Sequence, residues 1–238
     1  MSNVDTLLDG IGDLNIELTE EQRNSFIIYK NLLKEWNEKI NITAITDDRE
    51  IDEKHFLDSL TPIITKLFDG KKKIIDIGTG GGFPGIPLKI FNEELKVTLL
   101  DSLNKRIIFL NEVINALGLK DIEAIHGRAE EFGRVPKYRE QYDICISRAV
   151  ASLNTLSEYS LPFVKVGGYF IAMKGPDVDE ELEEAEKGIK LLGGKILKKE
   201  IVKIPNSDII HSLIIINKIQ ETSTKYPRAG GKPKKNPL

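Results

Sequence analysis

The stretch Ile74-Ile75-Asp76-Ile77-Gly78-Thr79-Gly80-Gly81-Gly82-Phe83-Pro84-Gly85-Ile86-Pro87 decides the fold. A short apolar run enters a turn without side-chain bulk, and Pro84 and Pro87 then open a helix. Glycines there let backbone N–H groups approach a ligand closely, and the helix start favours a negative group. The next apolar run ends at Asp101, 23 positions after Gly78. A carboxylate at that place can accept hydrogen bonds from both hydroxyls of a ribose.

Outward from this turn, short apolar runs alternate with amphipathic ones. Ile74–Ile77, Val97–Leu100, Ile122–Ile125, Tyr142–Ile146 and Tyr169–Met173 read as buried strands, separated by helical patterns around 85–92, 104–117, 152–163 and 179–192. Such alternation predicts a parallel, doubly wound α/β sheet. Lys195–Val202 and Ser212–Ile216 follow with only a loop containing Pro205-Asn206-Ser207 between them, which predicts an antiparallel hairpin. A mostly parallel sheet ending in that hairpin resembles the Rossmann-like fold of class I methyltransferases.

Before the sheet the texture is helical. Thr19-x-x-Gln22 reads as a capping box, and Phe26, Tyr29, Leu33, Trp36 and Ile40 then form one apolar stripe. A second helix is predicted from about Asp47 through Ile51 towards Leu60, interrupted at Pro62. The expected organisation is a small helical cap over 1–70, a ligand-binding α/β domain over 71–221, and a basic tail over 222–238. The 238 residues, 40% apolar and 30% charged, suffice for one α/β core with such an extension. No apolar run approaches the roughly 18 residues of a membrane span, and the acidic start is unlike a secretory signal. A cytoplasmic, soluble monomer is the expectation. The single Cys145 excludes an internal disulfide and any multi-Cys zinc site, and its apolar surroundings make it a small core residue.

Net charge is −3, unevenly spread. The tail holds Lys225, Arg228, Lys232, Lys234 and Lys235 without an acid, leaving −8 for the rest of the chain. Seven of ten positions in Asp177–Glu186 are acidic, over apolar residues at helical spacing, which reads as a solvated helix face. The basic tail is instead a candidate surface for a polyanion. Pro227, Pro233 and Pro237 predict an extended tail, separate from the glycine turn and without influence on the ligand there.

Two cofactor classes fit a glycine turn. Dinucleotide spacing from Gly78 and Gly80 requires glycine at 83, where Phe83 stands. A shifted match, Gly80-x-Gly82-x-x-Gly85, starts late and contains Pro84. Asp76 is unhelpful beside a pyrophosphate and suits a ligand carrying an ammonium and a sulfonium. S-adenosyl-L-methionine is therefore expected, with Asp76, Gly78, Gly80, Gly82 and Asp101 around it. An NAD-dependent oxidoreductase remains the alternative. Gly127-Arg128-Ala129-Glu130 follows the third strand, where backbone groups can read an adenine edge. Ser147-Arg148-Ala149-Val150 follows the fourth, at the strand ends where such sheets place their chemistry.

Absences narrow the methyl acceptor. There is no Pro-Pro dipeptide after the fourth strand, as exocyclic-amine methylation typically requires. Cys145 lies inside a strand, out of place as a nucleophile for pyrimidine carbon-5. Arg148 is a poor substitute for the Asp of ribose methylation. Guanine N7 has a free lone pair and no proton to remove, so it needs positioning rather than a general base.

Several further motifs carry a family likeness. They are Glu35-Trp36-Asn37-Glu38-Lys39-Ile40-Asn41-Ile42-Thr43, His55-Phe56-Leu57-Asp58-Ser59-Leu60, the glycine turn, Asp101-Ser102-Leu103-Asn104-Lys105-Arg106, Arg128-Ala129-Glu130, Ser147-Arg148-Ala149 and Lys225-Tyr226-Pro227-Arg228. With these the chain resembles, nearly end to end, the bacterial 16S ribosomal RNA guanine-N7 methyltransferase G family, once called glucose-inhibited division protein B. The resemblance implies methylation of one guanine in the decoding-region loop of 16S rRNA, on the RNA or the 30S particle. It implies cofactor contacts at Gly78, Phe83, Ala129, Glu130 and Arg148, with Arg148 also the candidate for positioning the base. Lys105, Arg106, Lys225, Arg228, Lys232, Lys234 and Lys235 are the candidate RNA contacts. A non-catalytic ribosome-assembly factor with the same fold is the remaining alternative.

Overall fold

A computed structural model describes residues 4–148 and 151–238, so Ala149 and Val150 of the loop after the fourth strand lie outside it. The strands are β1 (Lys73–Ile77), β2 (Lys96–Asp101), β3 (Ile122–His126), β4 (Tyr142–Ser147), β5 (Val164–Lys174), β6 (Gly194–Lys203) and β7 (Ile210–Lys218). They form one sheet in the order β3-β2-β1-β4-β5-β7-β6. Every pair among β1 to β5 is parallel, and β7 is antiparallel to both β5 and β6. The predicted mixed sheet is what the chain forms.

The hairpin folds so that the later strand lies inside. Leu213, Ile214, Ile215 and Ile216 of β7 are buried, as a strand covered on both faces requires. β6 takes the edge and turns Lys195, Lys198, Lys199 and Lys203 toward solvent or half-burial, which blunts an open strand edge.

Strand order reverses between β1 and β4, which opens a crevice beyond their C-terminal ends. Ser147 Oγ donates to the Ile77 carbonyl at 2.8 Å, tying the two strand ends together there. Cys145 is fully buried within β4, where burial pushes its thiol up, so it stays a neutral core side chain.

The helix Glu20–Ile40 starts at the predicted capping box, with Thr19 and Gln22 bonded reciprocally. Gln22 Nε2 also donates to the Ile90 and Phe91 carbonyls at 2.9 Å, fastening this helix to the one following β1, Gly85–Phe91. Phe26, Tyr29 and Leu33 share one core with Ile74, Phe83, Ile86, Leu99 and Phe109. The N-terminal helices thus pack onto the glycine-turn face of the sheet.

The second predicted helix is broken more finely than Pro62 alone would break it. Asp48–Ile51 is α-helical, Asp52–Leu57 is π-helical, Asp58–Leu60 returns to α, and Thr61–Thr65 is a 3-10 turn. The wider π turn changes which side chains share a face, and such turns recur at functional sites. Here it buries Asp52 against Lys30 at 2.7 Å and Asp58 against Arg148 at 2.7 Å. The acidic run is the outer face of the helix Asp179–Leu191, with Ala185, Gly188 and Ile189 inside. Among the described residues no helix is long and apolar enough to cross a membrane.

Candidate active site at the strand crossover

The glycine turn is held from both flanks. Gly78 N and Thr79 N donate to the Leu100 carbonyl at 2.9 and 3.3 Å. Asp76 Oδ2 accepts from Thr79 Oγ1 at 2.7 Å and from Gly85 N at 2.9 Å, so this carboxylate ties the turn to the following helix. Its other oxygen, Oδ1, is buried without a partner. Burial raises the Asp76 carboxyl to about 7, against the opposing hydrogen bonds from Thr79 and Gly85.

Asp101 is also buried, and its two oxygens accept from Gly80 N (2.9 Å), Leu103 N (2.9 Å) and Arg106 Nη1 (3.1 Å). A carboxylate offers about four acceptor positions, so one remains for a ligand hydroxyl unless Arg106 yields. Gly78, at φ +69°, would direct a Cβ into open space. That space belongs to a cavity of about 310 Å³ lined by Gly78, Asp101, Ser102 and Gly127 to Glu130, with Tyr159 and the tail residues Gly231, Lys234 and Lys235. Among the residues expected at a cofactor, Gly78, Asp101, Ala129 and Glu130 line this cavity, while Gly80 backs it through Asp101.

The other expected residues lie behind the turn. Gly82, at φ +99°, would place a Cβ 2.6 Å from the Tyr29 hydroxyl and from Ile86, so packing against the cap accounts for this glycine. The Phe83 ring stacks on His55 with centroids 4.5 Å apart and on Tyr29 at 5.4 Å, so its side chain serves the core. Arg148 lies over the Phe83 ring at 5.2 Å and is not a free cation. Its Nη1 donates to Asp58 Oδ2 at 2.7 Å and to the Lys54 carbonyl at 2.9 Å. With its side chain 18% exposed, one flank still faces outward.

Asp58 is the centre of this second cluster, and no role for it emerges from the motif that contains it. Its Oδ1 pairs with His211 Nδ1 at 2.6 Å. Burial pushes the Asp58 carboxyl up, but the His211 hydrogen bond and the Arg148 charge outweigh it and hold the group below the usual carboxylate range. His55 is driven down to about 3, first by burial and then by Arg148, so it is neutral. A neutral ring can stack on Phe83 and leave Nδ1, 3.4 Å from Arg148 Nη2, as an acceptor. The readable signal was an acid inside the apolar run His55-Phe56-Leu57-Asp58-Ser59-Leu60. His211, on a strand more than 150 positions away in sequence, gave none.

The basic candidates divide as well. Arg106 is committed to Asp101, and Arg228 forms a forked pair with the buried Glu158 at 2.6 and 2.9 Å. Both are thus members of ion pairs with buried carboxylates, Arg228 in two-point geometry and Arg106 through Nη1 alone. Lys105 Nζ, though exposed, donates to the Ile40 carbonyl at 2.8 Å. Lys225 and Lys232 are exposed. The tail is not an extended strand. It packs along the helix Leu153–Ser160, buries Pro227 and Pro233, and forms a short helix, Lys232–Lys235.

The family model described as "rRNA small subunit methyltransferase G" matches residues 22–210. The ribosomal RNA small subunit methyltransferase G of Alkaliphilus metalliredigens is 53% identical over 232 residues, covering 98% of this chain and 97% of the relative. Among solved structures, M. jannaschii TYW2 in complex with AdoMet superposes with TM-score 0.51 at 16% identity, covering 67% of this chain and 74% of that one. The branched-chain polyamine synthase C9 mutein of Thermus thermophilus, bound to 5'-methylthioadenosine, gives TM-score 0.55 at 12% identity over 70% of this chain and 56% of that one. At such identities the structures share the fold alone, and fold does not specify the reaction. The sequence match is of another order, and by it the chain belongs to the rRNA small subunit methyltransferase G family.

Proposed function

We propose that this protein is an S-adenosyl-L-methionine-dependent methyltransferase acting on N7 of a guanine in the decoding-region loop of 16S rRNA. The observation that carries the cofactor is charge. Asp76, Asp101 and Glu130 are all buried around one glycine turn, at 0%, 2% and 6% exposure. Carboxyl oxygens beside the turn disfavour a pyrophosphate and suit an ammonium and a sulfonium, even with Arg106 paired to Asp101 and the exposed Lys234 and Lys235 on the same cavity, which favours this cofactor over NAD. The orphaned Asp76 Oδ1 and the open space beside Gly78 fit the methionine end and the adenosine respectively. The Phe83 ring is packed on His55 and Tyr29, so Phe83 meets the cofactor through its main chain, as Gly82 does.

When bound, the cofactor supplies an electrophilic methyl group on sulfur. This chain's work is orientation. Asp101 and the Ala129–Glu130 turn hold the adenosine, while Arg148, fixed by Asp58, presents its exposed flank at the β4 end of the crevice. From there it orients a guanine O6 or a backbone phosphate. Neutral N7 is itself the nucleophile, so alignment can carry the rate without a general base. Action as a monomer is part of this reading, and the rRNA substrate implies the cytoplasm.

The test is transfer of labelled methyl groups to bare 16S rRNA and to 30S particles, with the labelled nucleotide mapped. Label on a guanine N7 supports the reading. Label on another atom overturns the acceptor, and no label with either substrate returns the chain to a non-catalytic assembly factor. A calorimetric titration with NAD and with S-adenosyl-L-methionine decides the cofactor separately.

A further inference from the structure

We infer that the C-terminal segment, through Gly231, Lys234 and Lys235, forms a wall of the cofactor pocket and sets cofactor affinity. This rests on the cofactor reading above and adds residues outside the family match, which ends at 210.

The path of the tail is built from its start. Lys218 is fully buried, bonding Glu140 at 3.0 Å and Thr222 Oγ1 at 2.7 Å. Arg139 donates to the Tyr226 carbonyl at 2.8 Å and Arg134 to the Pro227 carbonyl at 2.8 Å. Glu158 grips Arg228 by side chain and by backbone N–H, the latter at 2.7 Å. Gly230 and Gly231, both at φ +68°, then turn the chain back. Thr155 Oγ1 donates to the Pro233 carbonyl at 3.2 Å, and Asn154 to that of Leu238. Five separate side chains of the body thus fix a segment whose composition reads as disordered. A solubilising tail needs none of these bonds.

What they fix is the lip of the cavity. Gly231, Lys234 and Lys235 stand with Tyr159 on the same cavity as Gly78, Asp101 and Glu130. Both lysines are exposed, so their stems line the pocket while the ammonium heads reach solvent. Stems and the Gly231 backbone cover an apolar ring face such as adenine, and the heads remain free for RNA phosphate. One short segment then serves cofactor and substrate together. The separation in sequence that suggested a tail without influence on the cofactor is not a separation in space.

The experiment is calorimetric titration of the full chain and variants with S-adenosyl-L-methionine and S-adenosylhomocysteine, beside melting curves. Deletion of 229–238 is expected to weaken both ligands about tenfold or more, and Lys234→Ala with Lys235→Ala several-fold. Lys234→Met with Lys235→Met keeps the stems without the charge and should bind as the parent does. Thr155→Val, remote from the ligand, should weaken binding by loosening the segment. If the deletion melts early, the paired lysine variants decide. An alanine pair with unchanged affinity overturns the inference, as does a methionine pair that loses as much as the alanine pair. A parent chain that binds neither ligand overturns the cofactor reading instead.

Discussion

Asp58 joins Arg148, just after β4, to His211 of β7, the two strands that flank β5, accepting from Arg148 Nη1 at 2.7 Å through one oxygen and meeting His211 Nδ1 at 2.6 Å through the other. The carboxylate is buried and its partners are only partly exposed, at 18% and 27% of their side chains, so little water competes for either bond. Asp58→Asn should therefore misplace Arg148 while leaving the adenosine pocket intact. Turnover on the rRNA substrate is expected to fall about tenfold or more, with cofactor affinity nearly unchanged. Single-turnover kinetics beside a cofactor titration separate the two; equal losses in both would make Asp58 a general scaffold residue.

Arg148→Ala removes the guanidinium and leaves Asp58 with His211 alone. Turnover should fall further than in Asp58→Asn, and stability should drop by about 3–5 kcal/mol, as when one member of a buried pair is removed. Urea unfolding measures the second effect. Lost affinity for the cofactor with normal turnover at saturation would reassign Arg148 to cofactor binding only.

Asp101→Ala should weaken cofactor binding by about 1.5–3 kcal/mol, the range for hydrogen bonds to a charged group. The variant also frees Gly80 N and Arg106, so a lower melting temperature should accompany the loss. Unchanged affinity removes Asp101 from the site.

Asp76 makes a pH prediction with a definite sign. Its carboxyl sits at about 7 in the folded chain against an ordinary 3.8, so between these the folded state holds a proton that the unfolded state has lost. Its contribution to stability is full below the lower value and declines as pH rises toward 7, by up to about 1.4 kcal/mol per unit. His55, lowered from 6.5 to about 3, has the opposite slope, and its contribution is lost as pH falls below 6.5. The difference in unfolding free energy between the parent and Asp76→Asn isolates the first group, and should move against the parent from about pH 4 to 7. Cofactor affinity should rise over the upper part of that range, because a cation beside Oδ1 favours the ionised form. A flat difference across the window removes the linkage.

For RNA, the side chains free to meet phosphate in the tail are those of Lys225, Lys232, Lys234 and Lys235, since Arg228 is held by Glu158. Lys225→Ala with Lys232→Ala should reduce the salt slope of RNA binding by roughly 0.7 for each phosphate no longer neutralised. Arg228→Ala should instead lower the melting temperature. An unchanged slope in the double lysine variant moves the RNA surface elsewhere, with Lys105 next.

The strands, the hairpin, the glycine turn and the capping box were legible because each is a local pattern: period, punctuation and cap chemistry act within a few residues. Asp76, Asp101 and Glu130 stand out as candidate site residues for the same reason, each at a strand end or in the turn that follows one. Tertiary structure alone decided which of the expected residues face the cavity. Gly78 and Gly82 differ little as sequence, yet one opens on the pocket and the other is pressed by Tyr29 from a helix some fifty positions earlier. The π-helical turn, the Asp58 link between Arg148 and His211, and the folding-back of a proline-rich basic tail onto the pocket are likewise non-local. A charged side chain reads as exposed until its partner is known. Arg106, Arg148 and Arg228 each have a buried carboxylate waiting elsewhere in the fold, and only the packed chain brings the two together.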